Sequence, residues 1–358
     1  MSGGARAGAE DGRPGAPGSM PWSRPESGSE RVPRPAPERF AGLRPGDRVA
    51  VVAPSGPADP AKLENGCRLL RDLGLDVTVA KHALDRVGLG GPGPLRGDWQ
   101  RLAGADADRA ADLQAAWCDP RVRAVVCARG GYGATRVLDH LDWEALRAAA
   151  GGEPKALHGS SDITALHVAF GTRLGVTTSF GPMPAGLLAD AAGRDDLGGD
   201  LAETVDGFRS VLFREGGDAL TGTHALASGR AEGLLAGGTL SLLVAMLGTP
   251  YAPPPAAGRI VFLEDVTEAP YRIDRMLVQL VQAGWFDGAA GVALGTWDRC
   301  GDPAELDAVF AARLGPLGIP IVAGVPAGHG PRQRTLELGA PAVLDAGTLT
   351  LRAPGGAR

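Results

Sequence analysis

From Arg48 onward the apolar residues come in short unbroken runs, separated by stretches in which they recur every three or four positions. Val49–Ala53 is a continuous apolar run of strand length, closed by Pro54-Ser55-Gly56-Pro57, and Ala61–Leu73 then carries helical spacing. The same alternation predicts strands over Asp76–Ala80, Ala124–Ala128 and Lys155–His158, and helices over Asp108–Trp117, from Ala134, and over Ile163–Arg173. Apolar strands without in/out alternation, each followed by a helix, describe a parallel sheet covered on both faces. Residues 42–185 are therefore expected to form an open doubly wound α/β domain of flavodoxin- or Rossmann-like type. Its ligands should sit at the carboxyl ends of the strands.

Residues 186–221 read as a connector around a helix at Leu201–Arg214. Beyond them the pattern predicts strands at Thr223–Ser228, Gly258–Leu263, Gly291–Trp297, Ile319–Ala323, Arg334–Leu338 and Thr348–Leu351. Helices are expected at Thr239–Leu247, Pro270–Ala283 and Pro303–Leu314, giving a second, smaller α/β domain over 222–354, barrel-like or layered. Residues 1–41 differ: Gly, Pro, Ser, Arg and Glu dominate and apolar side chains are nearly absent. Such a segment buries too little surface to offset its ordering entropy, so a disordered tail is expected, removable through residue 40 without loss of stability or activity. Its first twenty residues also lack the apolar core of a secretory signal.

With 358 residues, 44% hydrophobic and 22% charged, the chain is long enough for two domains with separate cores. A net charge of -5 and the lack of any Lys/Arg run argue against nucleic acid or an anionic membrane as partner. No stretch is long enough and free enough of charge to span a bilayer, so a small neutral or mixed-charge ligand is expected. The 4 cysteines are scattered without a C-x-x-C pair, and no histidines have metal-ligand spacing such as H-E-x-x-H. Reduced thiols, a cytoplasmic location and chemistry without a metal follow as expectations.

Three segments carry candidate chemistry. Lys155–His158 ends in Gly159-Ser160-Ser161-Asp162 before a helix, and a serine on such a strand-to-helix turn is pushed clear of the sheet beside unpaired helix N–H groups. The same residues serve equally as ordinary helix caps, and Ile163 stands where the hydrolase pattern G-x-S-x-G has its second glycine. Arg129-Gly130-Gly131-Tyr132-Gly133-Ala134 follows another strand end; it is either a tight turn needing positive φ or a nest of N–H groups for an oxyanion or carboxylate. Glu264, Asp265 and Glu268 close an apolar strand, where they either cap the next helix, neutralise Arg272 and Arg275, or orient a histidine. His329, in the Gly/Pro loop Gly324–Pro331, is the histidine best placed for proton transfer, whereas His82, His140, His158, His167 and His224 lie in or beside apolar segments and read as structural.

Eight short motifs now fall in one order: Leu102-Ala103-Gly104, Arg129–Ala134, Gly159–Thr164, Gly181-Pro182-Met183, Gly237-Gly238-Thr239-Leu240, Leu247-Gly248-Thr249-Pro250, Phe262–Asp265 and Gly328-His329. Over residues 45–352 this resembles the LD-carboxypeptidase family, cytoplasmic serine peptidases that trim the cell-wall tetrapeptide. The resemblance implies Ser161 as nucleophile, His329 as general base and Glu264 as the acid that orients it. It implies an oxyanion hole from the N–H groups of Asp162 and Gly131, and substrate contacts from Arg129, Gly130, Tyr132 and Thr239. Arg129 and Arg272 are candidates to hold a terminal carboxylate. A homodimer and no cofactor are also implied. Two positions depart from the family pattern: Thr239 stands where Asn is common, and Phe180 where His often precedes G-P-M. Both are expected near the cleft, which keeps open a microcin-immunity-type hydrolase acting on peptidyl or aminoacyl nucleotides. A non-catalytic small-ligand-binding protein is the alternative from another class.

Overall fold

Val49 and Val51 pack into one apolar layer and Ala50 and Val52 into another, as successive residues of a strand covered on both faces must. In the computed structural model, which describes Met1 and residues 37–89, 101–194, 196–216 and 218–354, that strand is β1 (Arg48–Val52). It is followed by β2 (Asp76–Val79), a short antiparallel pair β3 (Val87–Gly88) and β4 (Arg101–Leu102), then β5 (Val122–Cys127), β6 (Ala156–Gly159) and β7 (Thr178–Phe180). β7, β6, β5, β1 and β2 lie side by side in that order, all parallel. Counted among themselves these strands run 2-1-3-4-5, the flavodoxin-like order, and the winding reverses between β1 and β5. The turns leaving β1 and β5 therefore open a crevice at the carboxyl edge of the sheet, with the turn after β6 beside it.

The helices divide between the two faces. Trp117, Phe170, Leu113 and Leu166 pack on one side of the sheet, and Leu63, Leu70, Phe208 and Leu212 on the other. Asp59 caps the helix Pro60–Asp72 and Asp142 caps Trp143–Ala150, each accepting two N–H groups of the first turn.

The second half begins with β8 (Leu220–Thr221), β9 (His224–Ala227), β10 (Arg230–Thr239), β11 (Arg259–Val266), β12 (Gly291–Asp298) and β13 (Ile321–Ala323). It continues with β14 (Leu336–Leu338), β15 (Pro341–Asp345) and β16 (Thr350–Arg352). The second sheet has the order β8-β16-β15-β10-β11-β12-β13-β9, parallel from β10 to β13. Its two edge strands, β8 and β9, are separated in the chain only by Gly222 and Thr223, which bond to Leu349 on one edge and Ala323 on the other. The sheet must therefore curl until its edges meet, the barrel-like form expected from the pattern.

Several strands differ from those the pattern predicts, the short β3, β4 and β8 among them. β10, interrupted by Gly233, Gly237 and Gly238, is not among the strands the pattern predicts, although it lies at the centre of the second sheet. β7 and β15 were also not anticipated. β14, expected in the second domain, instead pairs antiparallel with β7 and completes the first sheet, so the boundary drawn at 221/222 is not a clean division. The two sheets also touch at Phe180 and Phe262, whose rings meet edge to face at 5.4 Å. No helix among the described residues is long and apolar enough to cross a membrane.

The tail boundary also moves. Residues 2–36 lie outside the described residues, but Glu38 bridges to Val176, Arg39 donates to Glu337 on β14 at 3.1 Å, and Phe40 is 2% exposed in the core beneath Arg214. Truncation through residue 40 thus removes core contacts. Phe40→Ala should lower unfolding free energy by about 3 kcal/mol. A urea titration with an unchanged midpoint would contradict this assignment of Phe40 to the core.

Candidate active site

β6 stops at Gly159, and the chain turns through Ser160 into a single 3₁₀ turn, Ser161–Ile163, that feeds the helix Thr164–Arg173. Ser161 itself has φ 62°, a left-handed conformation that a residue with a Cβ adopts only when its surroundings enforce it. Its side chain faces the turn after β5. A Cβ placed on Gly130 would lie 2.8 Å from the Ser161 Cβ and 3.1 Å from its Oγ, so only glycine leaves the hydroxyl room. Two of the three chemistry-bearing segments are thereby brought together.

The turns around Ser161 are cross-braced by buried polar groups. The Asp162 carboxylate accepts the Ser55 hydroxyl at 2.6 Å and the Ala134 N–H at 2.8 Å, tying the turns after β1, β5 and β6 to one another. Burial pushes the Asp162 carboxyl up, against the hydrogen bonds from Ser55 and Ala134. Beneath it Arg109 is almost wholly buried and donates to the carbonyls of Pro54 and Gly133 and to Asp106. Gly56 adds an N–H bond to the Gly130 carbonyl at 3.2 Å. The Gly131 N–H, by contrast, donates to no protein acceptor among the described residues.

Glu264 is fully buried on β11. One carboxylate oxygen accepts both the His329 backbone N–H at 2.9 Å and the ring Nδ1–H at 2.6 Å. The other accepts the hydroxyl of Thr239 from neighbouring β10. This close approach depends on Gly328, with φ 111°, where a Cβ would fall 2.7 Å from the Glu264 carboxylate and 2.6 Å from the Thr296 hydroxyl. Burial works against the His329 cation, but the hydrogen bond and charge of Glu264 outweigh it and hold the imidazole pKa above its ordinary value. With Nδ1–H committed to Glu264, Nε2 is left as the ring's acceptor.

Thr239 joins this pair to Ser161. Its hydroxyl lies 3.4 Å from the Ser161 carbonyl, and its N–H donates to the Thr164 hydroxyl at 3.1 Å in the first turn after Ser161. Among the described residues no direct hydrogen bond joins the Ser161 side chain to His329, and the connection runs through Glu264 and Thr239. Such bonds commonly tighten only when substrate is present.

The remaining expectations sort by exposure. Tyr132 is 46% exposed at the rim of the turn after β5, and Arg129 is exposed beside it, donating to the Pro57 carbonyl at 3.2 Å. Thr239 and Phe180, expected to shape the cleft, are instead buried: Thr239 is spent on Glu264, and Phe180 packs on Phe262 and His167. His158 and His167 are buried with pKa values pushed down to about 4 by burial, each bonded to a backbone carbonyl. Asp265, beside Glu264, caps the helix Leu240–Ala245 through the Ser241 N–H, and burial raises its pKa to about 6. Arg272 pairs with Glu268 at 3.6 Å. Ser55, Thr164 and Arg109 were not anticipated. Ser55 sits in the turn that closes the first strand and could have been flagged by the switch-point rule, whereas an arginine at a helical position carries no signal of burial. Among the described residues no group of His, Cys, Asp and Glu could hold a metal ion.

Comparison with known proteins places this arrangement. The LD-carboxypeptidase N-terminal domain model matches residues 49–181 and the C-terminal domain model residues 232–344. A Streptomyces coelicolor protein named as a carboxypeptidase is 50% identical over 322 residues, 88% of this chain and 96% of its own. The murein tetrapeptide carboxypeptidase of Pseudomonas aeruginosa is 32% identical over 309 residues, 84% of this chain and 94% of that one. Among solved structures, the muramoyltetrapeptide carboxypeptidase of Oxalobacter formigenes has a TM-score of 0.69 at 28% identity, covering 85% of this chain and 97% of that one. An MccF-like protein from Bacillus anthracis shares the fold, with a TM-score of 0.72 at 23% identity over 87% of this chain and 98% of that one. With both domain models matched in order, the chain belongs to the LD-carboxypeptidase family, peptidase family S66, and is a serine carboxypeptidase.

Proposed function

We propose that the protein removes the terminal D-alanine from murein tetrapeptide, cleaving the bond between an L-centre and D-Ala during cytoplasmic turnover of cell-wall peptides. The observation that carries this reading is the buried Glu264 locked on the Nδ1 side of His329 and tied through Thr239 to the strained turn of Ser161. The Pseudomonas aeruginosa relative, named for that substrate, supports it. In this mechanism the Ser161 oxygen attacks the carbonyl carbon of the third residue as His329 Nε2 takes the hydroxyl proton. Negative charge grows on the carbonyl oxygen, which the N–H groups of Asp162 and Gly131 stabilise. The tetrahedral adduct then breaks its C–N bond, and the imidazolium returns the proton to the leaving D-alanine nitrogen. Water, deprotonated by the same imidazole, hydrolyses the acyl-enzyme and restores Ser161.

Because Ser161, His329 and the donors act as a unit, Ser161→Ala and His329→Ala should each lower kcat on the order of 10⁴-fold, and the double variant little further. Mass spectrometry of murein tetrapeptide should show loss of one alanine with the intact chain and none with Ser161→Ala. Cleavage of a peptidyl nucleotide in place of the tetrapeptide would select the microcin-immunity reading instead. Loss of activity in Ser160→Ala but not Ser161→Ala would overturn the nucleophile.

The fixed donors and Ser161 accept only one hand at the acyl centre, since the opposite hand drives the side chain into the donors. The pentapeptide, ending in a D-D junction, should survive incubation. Equal rates on the two peptides would remove this account of specificity.

The base must be neutral, so kcat/KM should rise with pH through the His329 pKa, which lies above its ordinary value. Glu264→Gln removes the charge that raises it and leaves burial to lower it, so the acid limb should move to lower pH while the plateau falls. Thr239→Val strands the second Glu264 oxygen and should cost about tenfold in kcat, with Thr239→Ser restoring most of it. A pH profile that does not move in Glu264→Gln would show that another group sets the limb.

A further inference from the structure

A second concave site lies away from Ser161, Glu264 and His329, none of which lines it. It is a cavity of about 250 Å³ bounded by the helix Gly199–Leu212 and the strands β14, β15 and β16. Its floor is apolar, formed by Leu220, Leu235, Leu336 and Leu351. Four arginines line it, Arg39, Arg214, Arg334 and Arg352, against the two carboxylates of Glu337 and Asp218.

The neutralisation among these groups is uneven. Glu337 is buried and already shared: it accepts Arg39 at 3.1 Å, Arg214 at 2.9 Å and the Thr177 hydroxyl at 2.8 Å. Two arginines on one carboxylate leave a positive excess. Arg334 has a side chain only 16% exposed, meets Glu203 no closer than 3.8 Å, and keeps its Nε buried without an acceptor. Glu203 is shared with Arg332 at 3.2 Å, so here too two arginines share one carboxylate, and the planar guanidinium of Arg334 at the cavity wall suits an oxyanion. The leucine floor adds a demand for an apolar body, and the volume lies below the range of drug-sized pockets.

We propose that this cavity is a binding site, separate from the Ser161 cleft, for a small carboxylate with an apolar body of about the size of an acylated amino acid. Phosphate matches the arginines but not the leucine floor. The site goes beyond the carboxypeptidase reading and does not depend on it.

Calorimetric titration of the full chain with three probes tests the assignment: N-acetyl-leucine, N-acetyl-leucinamide and inorganic phosphate. N-acetyl-leucine should bind one to one, and the neutral amide and phosphate each at least about tenfold more weakly. Arg334→Met keeps the bulk and removes the charge, and should weaken N-acetyl-leucine at least about tenfold. Ser210→Phe fills the cavity from a half-buried helix position and should abolish binding with every arginine in place, which keeps the test decisive if Arg334→Met does not fold. Undiminished binding in either folded variant, no binding of N-acetyl-leucine at about 10 mM, or tighter binding of phosphate would each overturn the proposal.

Discussion

A wholly buried carboxylate sets the terms for the rest of this molecule. Glu264 has no access to water, and a charge withdrawn from solvent persists only where hydrogen bonds replace its hydration. Three donors do so: the backbone and ring of His329 and the hydroxyl of Thr239. Each imposes a structural consequence. The His329 loop must approach so closely that Gly328 cannot carry a side chain, and β10 must lie beside β11 so that Thr239 faces Glu264. Thr239 in turn donates its backbone N–H to Thr164, so the demand of one buried charge reaches the first sheet.

On that side the constraint is steric as well as electrostatic. Ser161 keeps a left-handed backbone because the turns around it are held by Asp162, Ser55, Arg109 and the Gly56–Gly130 bond. These groups lie under the turns and not in the crevice. They brace the turns at the point where the strand order reverses, and Gly130 leaves room there for the Ser161 hydroxyl.

The two sheets are joined by more than the crevice between them. β14 leaves the second half of the chain to complete the first sheet, and Phe180 meets Phe262 across the interface. Glu337 on β14 then gathers Arg39 and Arg214, which draws in residues ahead of β1. The His329 loop ends where Arg334 bonds to the Pro326 carbonyl, just before β14, so its far end is anchored in the first sheet while Glu264 holds its middle from the second. Relative motion of the sheets would therefore strain the His329 loop directly.

Local pattern alone determined the parallel sheet, most helices and the three segments that carry chemistry, because apolar runs, caps and glycine turns act over a few neighbouring residues. The eight ordered motifs further pointed to Ser161, Glu264 and His329 as a set. What the sequence did not determine was how those segments meet. β10 was hidden because glycines weaken a strand in isolation, yet at its centre they admit the close approach of β11 and Thr164. Thr239 and Phe180 read as cleft residues because their motifs adjoin the site, whereas burial decided that one holds Glu264 and the other fills the sheet interface. Arg109 looks like any helical arginine until the turns at Pro54 and Gly133 close over it. In each case the deciding partner lies tens of residues away, 65 between His329 and Glu264 and 25 between Thr239 and Glu264, where only the packing of one sheet against the other brings donor to acceptor.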